Sequence, residues 1–196
     1  MFDIGANDGA FSHCVASLAN VAAIHAFEPL PSAFSELVTA SEQSPVPLTC
    51  HNVALGEFNG EGCMSVPDVS RGSSSLLHPN HVFDGEVGVG AVRQQTVNIV
   101  RLDDYVAQRS LPMPDVVKID VQGFEDRVIR GGAATVSAAA FVIAEVNFEA
   151  LYEQSALFDD VYSLMLTLGF RLTGMTNPAC GYSSHPLQAD AIFAKQ

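Results

Sequence analysis

Short runs rich in Val, Ile and Phe recur along the chain, and between them apolar residues fall at helical spacing. That alternation is the pattern of βαβ units around a mostly parallel sheet. The first run, Met1 to Ile4, ends in Gly5-Ala6-Asn7-Asp8-Gly9. A helix follows, with Phe11, Val15, Leu18 and Ala19 expected on its inner face at i, i+4, i+7 and i+8. Val21 to Phe27 reads as a second strand, stopped by Glu28-Pro29, and Pro31-Ser32 opens a helix that should bury Phe34, Leu37 and Val38. A third strand is expected over Leu48 to Leu55.

The pattern then changes. Gly56 to Gly62 reads as a turn, Cys63 to Val66 as a short strand, and Ser70 to Gly90 as a Gly/Ser/His-rich loop. A loop of that length inside a domain is usually functional or mobile. Val92 to Val100 alternates as an exposed or edge strand would, and Arg101 to Arg109 has the look of a short helix entered through Asp103-Asp104. Asp115 to Asp120 is the strongest buried strand. Val121-Gln122-Gly123 turns it into a helix reaching about Ala140, which Gly131-Gly132 should break. Phe141 to Val146 is another buried strand. Phe158 to Leu168 is a helix with an inner stripe of Val161, Leu164, Met165 and Leu168, capped by Gly169. Phe170 to Met175 and Ala189 to Ala194 then predict an antiparallel hairpin at one edge of the sheet.

Composition narrows the partners. The 196 residues hold 9 Lys+Arg against 22 Asp+Glu, a net charge of −13, with 48% hydrophobic residues. Such a chain is too apolar to be disordered and too acidic to favour nucleic acid or an anionic membrane surface, so a small molecule is the expected partner. No run approaches the ~20 apolar residues of a membrane span, and the start does not resemble a signal peptide, which makes the cytoplasm the default location. Cys14, Cys50, Cys63 and Cys180 form no CxxC and are expected as buried or half-buried thiols. His78 and His81 lack a companion ligand spacing, so no metal site is indicated. Oligomeric state is not legible.

Ligands of open α/β sheets bind beyond the carboxyl ends of the strands. Asp3, Glu28, Asp120 and Glu145 are expected there, with Asn52 to Ala54 beside them, so four acidic groups should ring one edge. The turn from Asp3 to Gly9 lacks the GxGxxG of a dinucleotide site, and Asp8 would repel a pyrophosphate. S-adenosylmethionine, with a sulfonium, an amino group and no phosphate, suits an acidic loop better. Glu28 then reads as the acceptor of two ribose hydroxyls.

The blocks Asp3-Ile-Gly-Ala-Asn-Asp-Gly9, Ala26-Phe-Glu-Pro29, Asn52-Val-Ala-Leu-Gly56, Ser73-Ser-Ser-Leu76, Arg101-Leu-Asp-Asp104, Lys118-Ile-Asp-Val-Gln-Gly-Phe-Glu125 and Gly131-Gly132 resemble, in order, those of the FkbM-type methyltransferase family. The resemblance implies one domain over 1–196. Its fold would be the Rossmann-like class I methyltransferase fold, a mostly parallel seven-stranded sheet with a C-terminal antiparallel hairpin. It also implies S-adenosylmethionine as cofactor and O-methylation of a sugar, polyketide or other small metabolite. By position, Asp3, Gly5, Ala6, Asn7 and Gly9 would cradle the methionine part, Glu28 with Pro29 the ribose, and Asn52, Val53 and Ala54 the adenine edge. Asp120 would sit near the transferring methyl. Two departures stand out. Gln122 replaces the glutamate of the family's Lys-Ile-Asp-Val-Glu-Gly, and the chain starts two residues before Asp3, so a truncated first strand and a missing lead segment are expected.

Methyl transfer from a sulfonium is an in-line displacement, and a base helps because an alcohol is a poor nucleophile. Asp120 is the first candidate base, followed by Glu125 and His78. Against these stand an internal Lys118–Asp120 ion pair, a dipole-favoured Glu125 in a first helical turn, and a merely polar His78-Pro-Asn-His81 loop. The segment from Ser70 to Gly90 is expected to act as an acceptor lid. Two other classes stay open: a nicotinamide-dependent oxidoreductase, against which the Gly5-x-x-x-Gly9 spacing argues, and a non-catalytic remnant of the methyltransferase fold.

Overall fold

β1 (Phe2–Ile4) lies at the centre of the molecule, paired in parallel with β2 (Ile24–Phe27) on one side and β7 (Val116–Ile119) on the other. The computed structural model describes residues 1–18, 20–68, 70–88 and 90–196. Ala19, expected on the inner face of the first helix, and Val89, in the long loop, lie outside the described residues. With β3 (Leu48–His51), β8 (Phe141–Asn147), β9 (Phe170–Cys180) and β10 (Pro186–Lys195), the main sheet runs β3-β2-β1-β7-β8-β10-β9. β10 is antiparallel to both β8 and β9, so the seven-stranded α/β architecture with its terminal hairpin is as expected.

Helices cover both faces. α1 (Ala10–Leu18) and α2 (Pro31–Ser41) lie against the face carrying Asp3 and Ala26. α4 (Leu102–Arg109), α5 (Glu125–Gly131), α6 (Ala133–Ala138) and α7 (Phe158–Thr167) enclose the larger core built on Phe2, Ile4, Val117 and Val142. α7 buries Val161 and Met165, and Leu164 and Leu168 pack at the margin. Each fully buried side chain of this size contributes roughly 1.5–3 kcal/mol before the entropy of ordering it. The expected helix break falls at Gly131-Gly132, between α5 and α6, and position 131 is held to glycine because a Cβ there would sit 1.8 Å from the Gly56 carbonyl oxygen.

Several details differ from the pattern-based reading. In α1 the buried residues are Ser12 and Ala16, whereas Phe11 and Val15 are half-buried and Leu18 is 82% exposed. Small residues face the sheet there because Ser12 donates to the buried Asp3. Likewise α2 buries Ala33 and Leu37 and exposes Val38. The single strand expected over Leu48 to Leu55 is two: after β3 the chain bends at Asn52-Val53, and β4 (Ala54–Gly56) enters a second sheet of order β4-β6-β5. Its central strand is β6 (Val92–Arg101), which pairs with β5 (Gly60–Pro67) from Val92 to Ile99 and with β4 only from Ile99 to Arg101, so Val92 to Asn98 is the largely exposed, one-sided strand its alternation predicts. Cys14, Cys63 and Cys180 are exposed and only Cys50 is half-buried; the first lies on the outer side of α1. The long loop holds a 3-10 turn at Arg71–Ser73 and the six-residue α3 (His81–Glu86), capped by the Asn80 side chain. No helix among the described residues is long and apolar enough to cross a membrane.

Candidate active site

Between the carboxyl edge of the main sheet and the small sheet lies a cavity of about 160 Å³, several times the ~30 Å³ of one water. Its near wall is main chain. Gly5 (φ +81°) and Ala6 both donate their amides to the Phe27 carbonyl, and a Cβ on Gly5 would fall 1.8 Å from the Asp120 carbonyl oxygen. Only glycine lets β1 turn this close to β7. Asn7, at φ +49°, points its amide at Glu28 Oε2 (2.9 Å), and Leu30 points its own at Oε1 (2.8 Å). Glu28 is thus fixed on both oxygens, and it lines the cavity. Burial raises its carboxyl to about 7, an effect the two amides and the charge of Arg71 moderate. The apolar side of the cavity comes from Val53, Ala54, Met64, Leu76 and Phe124.

The far wall is a side-chain network. Lys118 Nζ donates to Asp120 Oδ2 (2.9 Å) and lies 4.0 Å from Asp3, its register partner on β1. Burial pulls the Lys118 ammonium down, but the two carboxylates more than offset this and the net shift is upward. Gln122, in the left-handed region at φ +57°, donates its amide to Asp120 Oδ1 (3.0 Å) and Glu145 Oε2 (2.7 Å). Gln188 on β10 adds a second donor to the same Glu145 oxygen (3.0 Å). Burial, then Asp120 and Glu125, raise Glu145 well above the ordinary carboxylate range.

A strap closes the cavity above. Arg71 makes a two-pronged ion pair with Glu36 on α2 (2.6 and 2.7 Å) and donates to the Asn7 side chain (3.1 Å). Ser75 donates to the Gln122 carbonyl (2.7 Å), and Tyr152 donates to that of Ser73 (2.8 Å).

Of the residues singled out by sequence, Gly5, Asn7, Glu28, Pro29, Val53, Ala54 and Asp120 line one cavity. Six do not. Asp3 is fully buried behind the wall, accepting from Ser12 (2.6 Å); burial raises it and Lys118 opposes. The four carboxylates therefore do not form one ring. Ala6 and Gly9 shape the turn from behind, and Asn52 turns its amide to the Glu28 and Pro29 carbonyls (2.9 and 3.0 Å), bracing the loop instead of facing the cavity. Glu125 is wholly buried and caps the turn ahead of α5, accepting from Val121 (3.0 Å) and Gly123 (3.2 Å). His78 pairs with Ser65 (3.2 Å), away from the cavity. Among the three candidate bases only Asp120 lines it. Missing from the sequence reading were Arg71 and the bridging role of Gln122. A lone arginine in a Gly/Ser-rich loop was the available signal for the first.

Sheet order, hairpin and a cavity at the carboxyl edge together define a Rossmann-like methyltransferase domain. The chain belongs to the family described as the methyltransferase FkbM domain, whose profile matches residues 3–172. It is similar to the hexuronic acid methyltransferase AglP of Haloferax volcanii, 28% identical over 147 residues, with 75% of this chain and 55% of AglP covered. It is also similar to the 2-O-methyltransferase NoeI of Sinorhizobium fredii, 29% identical over 171 residues, with 78% of this chain and 65% of NoeI covered. The chain thus spans less than two thirds of the length of either relative. Among solved structures, magnesium protoporphyrin IX methyltransferase of Synechocystis PCC 6803 with bound SAM shares the fold at a TM-score of 0.51 and 12% identity, over 100% of this chain and 69% of that one.

Proposed function

We propose that this chain is an S-adenosylmethionine-dependent O-methyltransferase, one FkbM-type domain over 1–196, acting on a hydroxyl of a sugar or comparable small metabolite. The observation that carries the reading is Glu28. Its carboxylate is oriented by two main-chain amides at the end of β2, with its remaining lone pairs available to two adjacent hydroxyls of a ribose. The donor set fits the cofactor in two further respects. The glycine cradle at Gly5 and Asn7 admits a ligand close to the backbone, and the apolar side formed by Val53, Ala54 and Phe124 suits a flat adenine. When bound, the cofactor supplies an electrophilic methyl on a positively charged sulfur.

Asp120, held by Lys118 and Gln122, keeps free lone pairs at the cavity and takes the proton of the acceptor hydroxyl. The two relatives, named for a hexuronic acid and for a 2-O position, support a sugar hydroxyl as acceptor. Calorimetric titration with S-adenosylmethionine tests the reading. Wild-type protein should bind and Glu28→Ala should lose most of the affinity, whereas unchanged affinity in the variant would overturn the ribose assignment.

A further inference from the structure

The two ends of the strap over the cavity are held by different means. From Ser73 onward the ties are buried. The Ser73 carbonyl accepts from Tyr152, Ser75 exchanges both main-chain hydrogen bonds with Ser65 on β5 (2.8 and 3.1 Å), and the Ser75 hydroxyl donates to the Gln122 carbonyl. Ser75 and Tyr152 are themselves fully buried. Ahead of Ser73, among the described residues, the main chain of Arg71 and Gly72 bonds only within the 3-10 turn, through the Arg71 carbonyl to Ser74. What ties this end to the rest of the molecule is the Arg71 side chain, which reaches across to Glu36 on α2 and to Asn7. Glu36 is 54% exposed. An exposed ion pair contributes little and is screened by salt, so this end is released more easily than the buried one.

The size of the cavity gives a reason for release. At about 160 Å³ it is below the ~300–1,000 Å³ of pockets that bury a drug-sized ligand, and a nucleoside carrying an amino-acid tail is of that size. Val53 and Phe124 belong to the main core, and Gly5 is packed on the Asp120 carbonyl, so those walls are fixed. Arg71 and Gly72 line the cavity from the inside while Gly72 is exposed on its outer side, which leaves them as the wall with room to give.

We propose that the Arg71 end of the strap is the entry gate for the cofactor, pivoting on Ser73 to Ser75 and latched by Glu36. This rests on the methyltransferase reading and deepens it. When the guanidinium leaves Glu36 and Asn7, Arg71 and Gly72 swing outward and the cavity widens beside Glu28. The Asn7 amide keeps its bond to Glu28 throughout, so that carboxylate stays oriented whether the gate is open or closed. Glu36 itself does not line the cavity. It therefore sets the rate of entry and exit without touching the bound ligand.

Two measurements on the full chain test the gate, with Glu36→Gln as the variant. The first needs no ligand. Trypsin can cut after Arg71 only when the turn is released, so limited digestion read by mass spectrometry should show the Arg71–Gly72 cut about five-fold faster in Glu36→Gln, relative to the other sites, as expected for the loss of an exposed ion pair. Raising the salt concentration should speed that cut in the wild type and not in the variant. The second measurement follows S-adenosylhomocysteine by surface plasmon resonance. Its association and dissociation rate constants should both rise about five-fold in Glu36→Gln, with Kd changed by less than about twofold. Equal cleavage in both proteins would overturn the latch. Faster cleavage with unchanged binding rates would overturn the role in entry and leave the cofactor reading intact, and so would a faster dissociation alone, because Glu36 would then be stabilising the bound state. Absence of binding by both proteins would overturn the cofactor reading, and the gate with it.

Discussion

Glu28 and Glu145 are both carboxylates at strand ends on one edge of the same sheet, yet they are held by opposite means. Glu28 is gripped by the main chain, through the amides of Asn7 and Leu30. Glu145 is gripped by side chains, the amides of Gln122 and Gln188. A main-chain grip is set by the path of the backbone and does not change with protonation of its neighbours. A side-chain grip can be retuned by one substitution. The half built of backbone is therefore suited to an invariant ligand such as the proposed cofactor, and the half built of side chains to a variable acceptor and to proton movement.

The contrast can be broken in order of expected effect. Gly5→Ala attacks the backbone half directly, placing a Cβ on the Asp120 carbonyl at φ +81°, and should destabilise by roughly 4 kcal/mol or more. Urea denaturation measures this, and a loss below ~1 kcal/mol would mean the turn is not the rigid element described. Asp120→Asn attacks the side-chain half and should lower kcat by about 10²–10⁴-fold while cofactor affinity changes less than about tenfold. A comparable loss in affinity would erase the division between the halves. Glu28→Ala should weaken cofactor binding about 100-fold through lost charge-assisted hydrogen bonds, with a cooperative melt retained. Asn52→Ala removes the brace on the Glu28 and Pro29 carbonyls and should reduce stability by ~1 kcal/mol, read from the same denaturation curves.

The smallest effect is on pH, because two contributions oppose. His51, on β3 beneath the backbone half, pairs with His25 (3.0 Å) and Tyr105 (3.1 Å). Burial, with His25 and Arg109 nearby, lowers its pKa from 6.5 to about 4. Across that window the unfolded chain binds the proton more readily, so the His51 contribution is complete above about 6.5 and is lost as pH falls toward about 4. Glu28, raised from 4.5 to about 7, does the reverse: its contribution is greatest below about 4.5 and is lost as pH rises to about 7. Stability curves of His51→Gln and Glu28→Gln should therefore diverge from the wild type with opposite slopes; parallel slopes would contradict the assignment.

The same contrast accounts for what was legible beforehand. The backbone half is encoded locally: Gly5, Asn7, Glu28 and Pro29 stand within one βαβ unit, and glycine at a strand end has a stereochemical reason to be there. The closing hairpin followed from periodicity for the same cause, whereas the strand order β3-β2-β1-β7-β8-β10-β9 did not. The side-chain half joins Lys118, Gln122, Glu145, Tyr152 and Gln188, whose pairing depends on register between β7, β8 and β10. No local pattern announces that Gln122 bridges two acids. Nor could spacing tell that Glu125 would serve as a turn cap, since a first-turn glutamate is favoured on any helix. The inner faces of α1 and α2 were misread because bulk was equated with burial, whereas closely approaching helices bury Ser12, Ala16 and Ala33.

The central position of β1 has a consequence for the order in which the molecule comes together. Phe2 pairs with Val117, and Gly5 packs on Asp120, so the turn at Gly5 stays incomplete until β7 and the turn after it have been synthesised. Contacts so distant in sequence form slowly, and Phe2 and Ile4 remain available to wrong partners in the interval. The turn that lines the cavity is thus made well before the strand that secures it.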